Sequence, residues 1–276
     1  MTDILKQTNL CITALLIVLL PFAADDGFVF PTKTAKSFLF VFAAMLIFSI
    51  FLLQIALKKQ GGAVKISASD LSTAGFFLYL SAGVLLDINK SGLPSRYVGL
   101  LGLAALYLVL RNTDAKRFKL LFPAVLLSGL AQAVYGNLQL YGVYAPRHNL
   151  FNITGGFFNP GPYAGYLSLI FPVALSLYLA TSGNKTGAGG KGFAAGALDT
   201  EITGKQITKY LSAAALIGIL LVLPSTRSRA AWLAVIASSF FILADRYKFV
   251  GLIKSKLGTK LKKTLFFALL ATITAK

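Results

Sequence analysis

The chain has 276 residues, 56% of them hydrophobic and only 13% charged, with a mean hydropathy of +0.73. A soluble domain of this length has no interior large enough to hide that much apolar surface, so an ordinary globular protein is excluded. The formal net charge of +18 tracks the loops between apolar runs and calls for no nucleic acid.

Those runs are continuous rather than alternating, which points to helices and away from a β-barrel. The expectation is an all-α, polytopic helical membrane protein: one transmembrane domain over 1–276 with about eight or nine spans. Apolar windows predict spans near 9–24, 37–57, 71–86, 97–110, 120–139, 163–181, 207–223 and 228–244, and a further run begins at Leu265. The third, fourth and eighth are short and should extend into their flanks. The first resembles a signal peptide, with Lys6 before an apolar core and Ala23 and Ala24 after it. It also opens a regular in–out series, and is therefore read as an uncleaved helix. Cys11, the lone cysteine, has no internal partner for a disulfide.

Orientation follows from lysine and arginine. With the N-terminus inside, the inner segments carry nineteen of these residues. The outer ones carry seven: Lys33, Lys36, Lys90, Arg96, Arg147, Arg227 and Arg229. The expectation is a chain that crosses its membrane many times, with a cytoplasmic N-terminus and its basic loops beside anionic lipid. The inner loop 182–206 is rich in glycine and polar residues and reads as a flexible linker. Its GAGGKG at 187–192 formally matches a dinucleotide fingerprint, but no strand precedes it. A phosphate-binding P-loop fails too, because Gly192 follows Lys191 where serine or threonine is needed.

Two outward turns carry the chemistry. The loop 140–162 contains FNITGGFFNPGP, where Gly155 and Gly156 permit backbone that other residues resist. Asn159 is placed to cap a helix that starts at Pro160 or Pro162. Arg147 and His148 lie just upstream. The second turn, LPSTRSRAAW at 223–232, ends one span at Pro224 and offers Ser225 or Thr226 as a cap for the next. Arg227 and Arg229 sit at the N-terminus of that next helix. Helix N-termini carry partial positive charge and free N–H groups, and arginine's planar fork matches phosphate oxygens. The outward acids, Asp25, Asp26 and Asp87, lie on other loops. Two such N-termini with arginines suit a phosphate or diphosphate. The plainer readings are arginines that snorkel to headgroups, a loop histidine without a role, and Phe157, Phe158 and Tyr163 as an interfacial aromatic belt.

At these residues the chain resembles the O-antigen ligase family. GGFFNPGPYA at 155–164 is similar to that family's G-x-F-x-N-P-N-x-x-A signature, and SRAA at 228–231 to its S-R-[GA]-A signature. Gly161 stands where the family more often has a second asparagine. The resemblance implies an all-helical membrane glycosyltransferase domain without a nucleotide-sugar site. It also implies transfer of a glycan from an undecaprenyl-diphosphate carrier to an acceptor on the outer side of a bacterial inner membrane. That acceptor would be lipid A-core, protein serines or a growing glycan. By the same resemblance Arg229 takes the catalytic arginine's role. Arg227, Arg147, Asn159 and His148 are the candidate substrate-binding residues. The family's proposed catalytic histidine lies in a later large loop, and His148 does not match it. No cofactor or metal is expected. A transporter or flippase of an anionic or lipid-linked substrate would use the same arginines; paired broken helices would favour it. The run from Leu265 to Ala275 is too short to cross the hydrocarbon, so the chain is expected to be the N-terminal part of a longer, active protein.

Overall fold

The computed structural model describes residues 2–57, 67–91, 95–182 and 202–247, and within these the side chains of 87–91, 95, 96, 202 and 203 are not covered. The run from Leu265, the GAGGKG stretch and the side chains of Asp87, Lys90 and Arg96 therefore lie outside the described residues. The described residues form helices α1 (Thr2–Leu19), α2 (Pro31–Ala56), α3 (Ala68–Ser91), α4 (Ser95–Arg111), α5 (Ala115–Phe118), α6 (Leu121–Leu140), α7 (Pro160–Ser182), α8 (Ile202–Val222) and α9 (Arg229–Arg246). Short 3-10 turns follow α1 at Leu20–Phe22 and α8 at Pro224–Thr226.

The protein is an all-helical, membrane-embedded bundle. Every predicted span falls on a helix, and the three short ones do extend into their flanks. Among the described residues six helical segments are long and apolar enough to cross a membrane, while the apolar Tyr97–Arg111 is shorter. In α9, Arg229, Asp245 and Arg246 bracket the apolar run. The predicted linker 182–206 is too wide, because 202–206 are already the first turn of α8. The predicted loop 140–162 narrows to 141–159: Leu140 still belongs to α6, and Pro160 opens α7, since a missing N–H costs nothing at a first helical position.

Three packing centres organise the described residues. One joins α6, α7 and α8 around Leu126, Ala174, Leu177 and Ala215. A second joins α6, α7, α8 and α9 around Ala133, Tyr163, Ala164, Leu167, Ile219, Val222 and Ala231. The third joins α1, α2 and α4 around Leu16, Ala43, Ile47 and Val109. The Ser128 hydroxyl of α6 links the first two to the third by donating to the Ile17 carbonyl of α1 at 2.8 Å. Outside, α2 turns Phe38, Phe42 and Met45 away from the core, and α9 turns Leu233, Phe240 and Phe241. Such exposure suits a hydrocarbon surround. α3 leans on α4 through polar contacts: Tyr97 donates to Ser81 at 2.8 Å, and Arg111 Nε donates to Asp70 at 3.0 Å.

Small residues set the close approaches, as expected where packing rather than water drives helix association. A Cβ on Gly129 would meet Ile170 at 2.6 Å, and one on Gly136 would fall 2.0 Å from the Tyr163 hydroxyl oxygen. Nothing lies within 4 Å of a Cβ built on Gly165. Gly136→Ala should therefore destabilise the bundle by about 1–3 kcal/mol through overpacking. Gly165→Ala should be neutral or mildly stabilising. Thermal unfolding of the two variants in detergent checks the contrast; equal midpoints would contradict this packing.

Candidate functional site

The links between α1 and α2, α6 and α7, and α8 and α9 meet at one end of the bundle. The Pro21 carbonyl faces Gly156, where a Cβ would lie 2.3 Å from it, so only glycine fits. Gly155 takes a left-handed φ of +55°, which is costly for other residues.

Two glutamines of α6 hold this loop. Gln139 Oε1 accepts from the Thr154 N–H at 3.0 Å and the Gly155 N–H at 2.8 Å. Its Nε2 donates to the Gly155 carbonyl at 3.3 Å. Gln132 Oε1 accepts from the Gly156 N–H at 2.9 Å, and the Gln132 carbonyl accepts from the Tyr163 hydroxyl at 2.8 Å. Gln132 and Tyr163 are fully buried. Backbone N–H groups in a water-poor interior need such partners, so these side chains set the path of 154–156. Tyr163 is thus a core residue and not part of an interfacial belt. Phe158 remains half exposed, and Phe157 is partly buried against the core.

Lys36 folds inward. Its ammonium donates to the Gly156 carbonyl and lies over the Phe157 ring, 4.0 Å from the centroid. The attraction between cation and ring face adds to the hydrogen bond. Sequence position alone marks Lys36 as one more outer lysine. Gln132 and Gln139 are not singled out either, although amides seven residues apart inside an apolar run signal one inward-facing polar stripe.

The structure gives the sequence-chosen residues unequal surroundings. Asn159 Oδ1 accepts from the Gly161 N–H at 2.9 Å at the start of α7, as a cap should. Arg147 is anchored through its N–H, which donates to Thr154 Oγ1 at 3.0 Å, and its guanidinium stands 3.9 Å from Asp26. His148 Nδ1 accepts from the Leu150 N–H at 3.2 Å, and its ring meets Phe158 edge-on at 4.7 Å. At the other turn the cap of α9 is Ser228, whose Oγ accepts from the Ala231 N–H at 3.4 Å. Ser225 and Thr226 are not the cap, because Pro224–Thr226 closes its own 3-10 turn and Thr226 donates to the Leu223 carbonyl at 2.7 Å.

Arg227 is the one non-glycine with positive φ among the described residues, at 53°. Arg229 is the first residue of α9. Both are exposed, and neither has an ion pair or hydrogen-bonded side chain among the described residues. The N-terminal turn of α9 packs beside that of α7 through the cluster of Tyr163, Ala164 and Ala231. One end of the bundle therefore carries two helix N-termini with Arg227 and Arg229, beside Lys36, bound to the Gly156 carbonyl, and Arg147, close to Asp26. Helix N-termini and arginines are groups that can receive an anion. Among the described residues no group of three or more metal-ligating side chains gathers.

No family model, curated protein or solved structure matches this chain. The resemblance noted above rests on its two motifs.

If Gln139 fixes the loop, Gln139→Leu leaves the Thr154 and Gly155 N–H groups without partners, at about 1–3 kcal/mol for each. The Thr154 and Gly155 amides should then exchange hydrogen faster while amides in the middle of α7 keep their rates. Unchanged exchange at both loop amides would contradict that role.

Proposed function

We propose that this chain takes part in transferring a glycan from an undecaprenyl-diphosphate carrier to a hydroxyl acceptor. The reaction would occur at the face of a bacterial inner membrane opposite the cytoplasm. The observation that carries this reading is Arg229. In the two motifs, Gly155 supplies a left-handed turn, Asn159 a cap and Pro160 a first helical position. Ala164 supplies core packing, Ser228 a cap and Ala231 a close contact. Arg229 is exposed and its side chain has no ion pair or hydrogen bond among the described residues, yet it sits at a helix N-terminus where a cation is electrostatically unfavourable. A residue placed against local preference, without a structural partner, is best explained by a ligand.

The chemistry fits such a site. The acceptor oxygen bonds to the anomeric carbon as the anomeric C–O bond to diphosphate breaks. The bonding pair leaves on the diphosphate oxygen, and the acceptor proton passes to a base. Negative charge grows on the leaving group, and fixed cations and helix N-termini stabilise it. Arg229 is the proposed catalytic residue, a fork on the diphosphate. Arg227, Arg147, Asn159 and His148 line the proposed donor region. A glycolipid, a protein or a growing glycan would serve as acceptor, with membrane lipids around the bundle.

Three results would test this reading. With Cys11 replaced by serine, an impermeant outside thiol reagent should label Leu150→Cys and miss Gly187→Cys, as the lysine and arginine asymmetry requires. The reverse pattern would overturn the orientation. Arg229→Ala in the full-length natural protein should abolish transfer with insertion intact, and Arg229→Lys should recover it only partly, because an ammonium lacks the bidentate fork. Full transfer by the alanine variant would favour snorkelling. Arg227→Gly should keep or raise the thermal midpoint, since glycine relieves the left-handed strain of about 1–2 kcal/mol, while transfer falls. A variant that is stabilised and fully active would remove Arg227 from the site.

A further inference from the structure

The link between α1 and α2 is a shaped turn with an apolar tip. Asp25 closes it. Its Oδ1 accepts from the Gly27 N–H at 2.9 Å, its carbonyl accepts from the Phe28 N–H at 3.3 Å, and its own N–H donates to the Pro31 carbonyl at 3.3 Å. The tip that follows is turned outward: Val29 is 90% exposed, more than any other large apolar side chain among the described residues, and Phe30 is 64% exposed. The lysine and arginine pattern assigns this link to the outer, aqueous side, where such apolar surface is unfavourable. Its neighbours place it elsewhere. The Phe28 ring stacks on Phe38, with centroids 5.8 Å apart and planes 17° apart. Phe38 lies about two turns, roughly 10 Å along the axis, beyond the Pro31 that opens α2. It belongs to the stripe of Phe38, Phe42 and Met45 that α2 turns away from the core and toward hydrocarbon. The link therefore folds down over the lipid-facing side of α2 instead of standing up from the bundle. The Lys33 ammonium stands 5.9 Å from the Phe30 centroid, a cation at the edge of the apolar tip, as lysines sit at headgroup level.

We propose that Phe28, Val29 and Phe30 form a wedge sunk in the outer leaflet, with the acyl chains of bilayer phospholipids as its partner. Aromatic and aliphatic side chains with a lysine at their rim are the make-up of segments that lie in the headgroup–acyl boundary, about 5–10 Å deep. Acyl chains rather than charged headgroups are the partner, because Asp25 and Asp26 offset Lys33 within the same segment. The backbone of the turn suits lipid as well. The Gly27 and Phe28 N–H groups and the Phe30 and Pro31 carbonyls already have partners, the Phe30 carbonyl accepting from the Thr34 N–H at 3.0 Å. This surface is separate from the arginine turn and stands whether or not the chain handles a glycan.

The test uses the full chain with Cys11→Ser and Val29→Cys, an environment-sensitive fluorophore on the new thiol, in phosphatidylcholine vesicles. Quenching by a lipid with a nitroxide on a shallow acyl carbon is compared with quenching by iodide present on both sides of the bilayer. The nitroxide lipid should quench the label at Val29→Cys at least about twofold more strongly than iodide, as a tip in the headgroup–acyl boundary requires. The same label at Asp26→Cys, where the native carboxylate is 92% exposed, should show the reverse order. Stronger quenching by iodide at Val29→Cys overturns the proposal and leaves the tip in water. An equal preference for lipid at both positions overturns it too, since the fluorophore then sets the depth. Protection from both quenchers overturns it in favour of a covering protein surface, a second copy or another part of the chain. Should Val29→Cys fail to insert, Phe30→Cys decides by the same readings, because that side chain is also exposed.

Discussion

The hydrogen bonds from Gln132 and Gln139 to the 154–156 backbone are what the rest of this end of the molecule depends on. An irregular segment packed against membrane helices has to find partners for each N–H and C=O, because lipid offers none. Both amides come from a single face of α6, and they take up the Thr154, Gly155 and Gly156 N–H groups. The Tyr163 hydroxyl then ties α7 to the same helix through the Gln132 carbonyl. Glycines complete the fit, since a side chain on Gly156 would strike the Pro21 carbonyl and one on Gly136 would strike Tyr163.

Fixing the loop fixes the charges. Lys36 can reach the Gly156 carbonyl and the Phe157 face only because both are held over α2. Arg147 hangs from Thr154 Oγ1, whose own N–H is bound by Gln139. The arginine turn is set separately, by the 3-10 turn after α8 and the Ser228 cap, yet it arrives at the same end because α7 and α9 run side by side in the same direction. Positive groups built on rigid helix ends are held in place before a ligand arrives, which is what the proposed diphosphate site requires.

The spans were legible because twenty apolar residues leave few alternatives, and Asn159 with Pro160 was legible because a cap and a first-turn proline are local chemistry. The cap of α9 was misplaced by two or three residues: three hydroxyl residues precede that helix, and only the 3-10 turn at Pro224 decides that Ser228 is the one left to cap it. Tyr163 and Lys36 were misread for a common reason. An aromatic or a lysine near a membrane interface usually faces the headgroups, and what turns these two inward is a glycine on α6 and a carbonyl of a distant loop.

The decisive quantity is the affinity of the purified chain for undecaprenyl diphosphate, compared with uncharged undecaprenol, before and after the paired substitution Arg227→Ala with Arg229→Ala. Losing charge-assisted contacts of about 1.5–3 kcal/mol each should weaken diphosphate binding at least about tenfold and leave undecaprenol untouched. Equal affinity of the intact and substituted chains for the diphosphate would contradict an anion site at the start of α9.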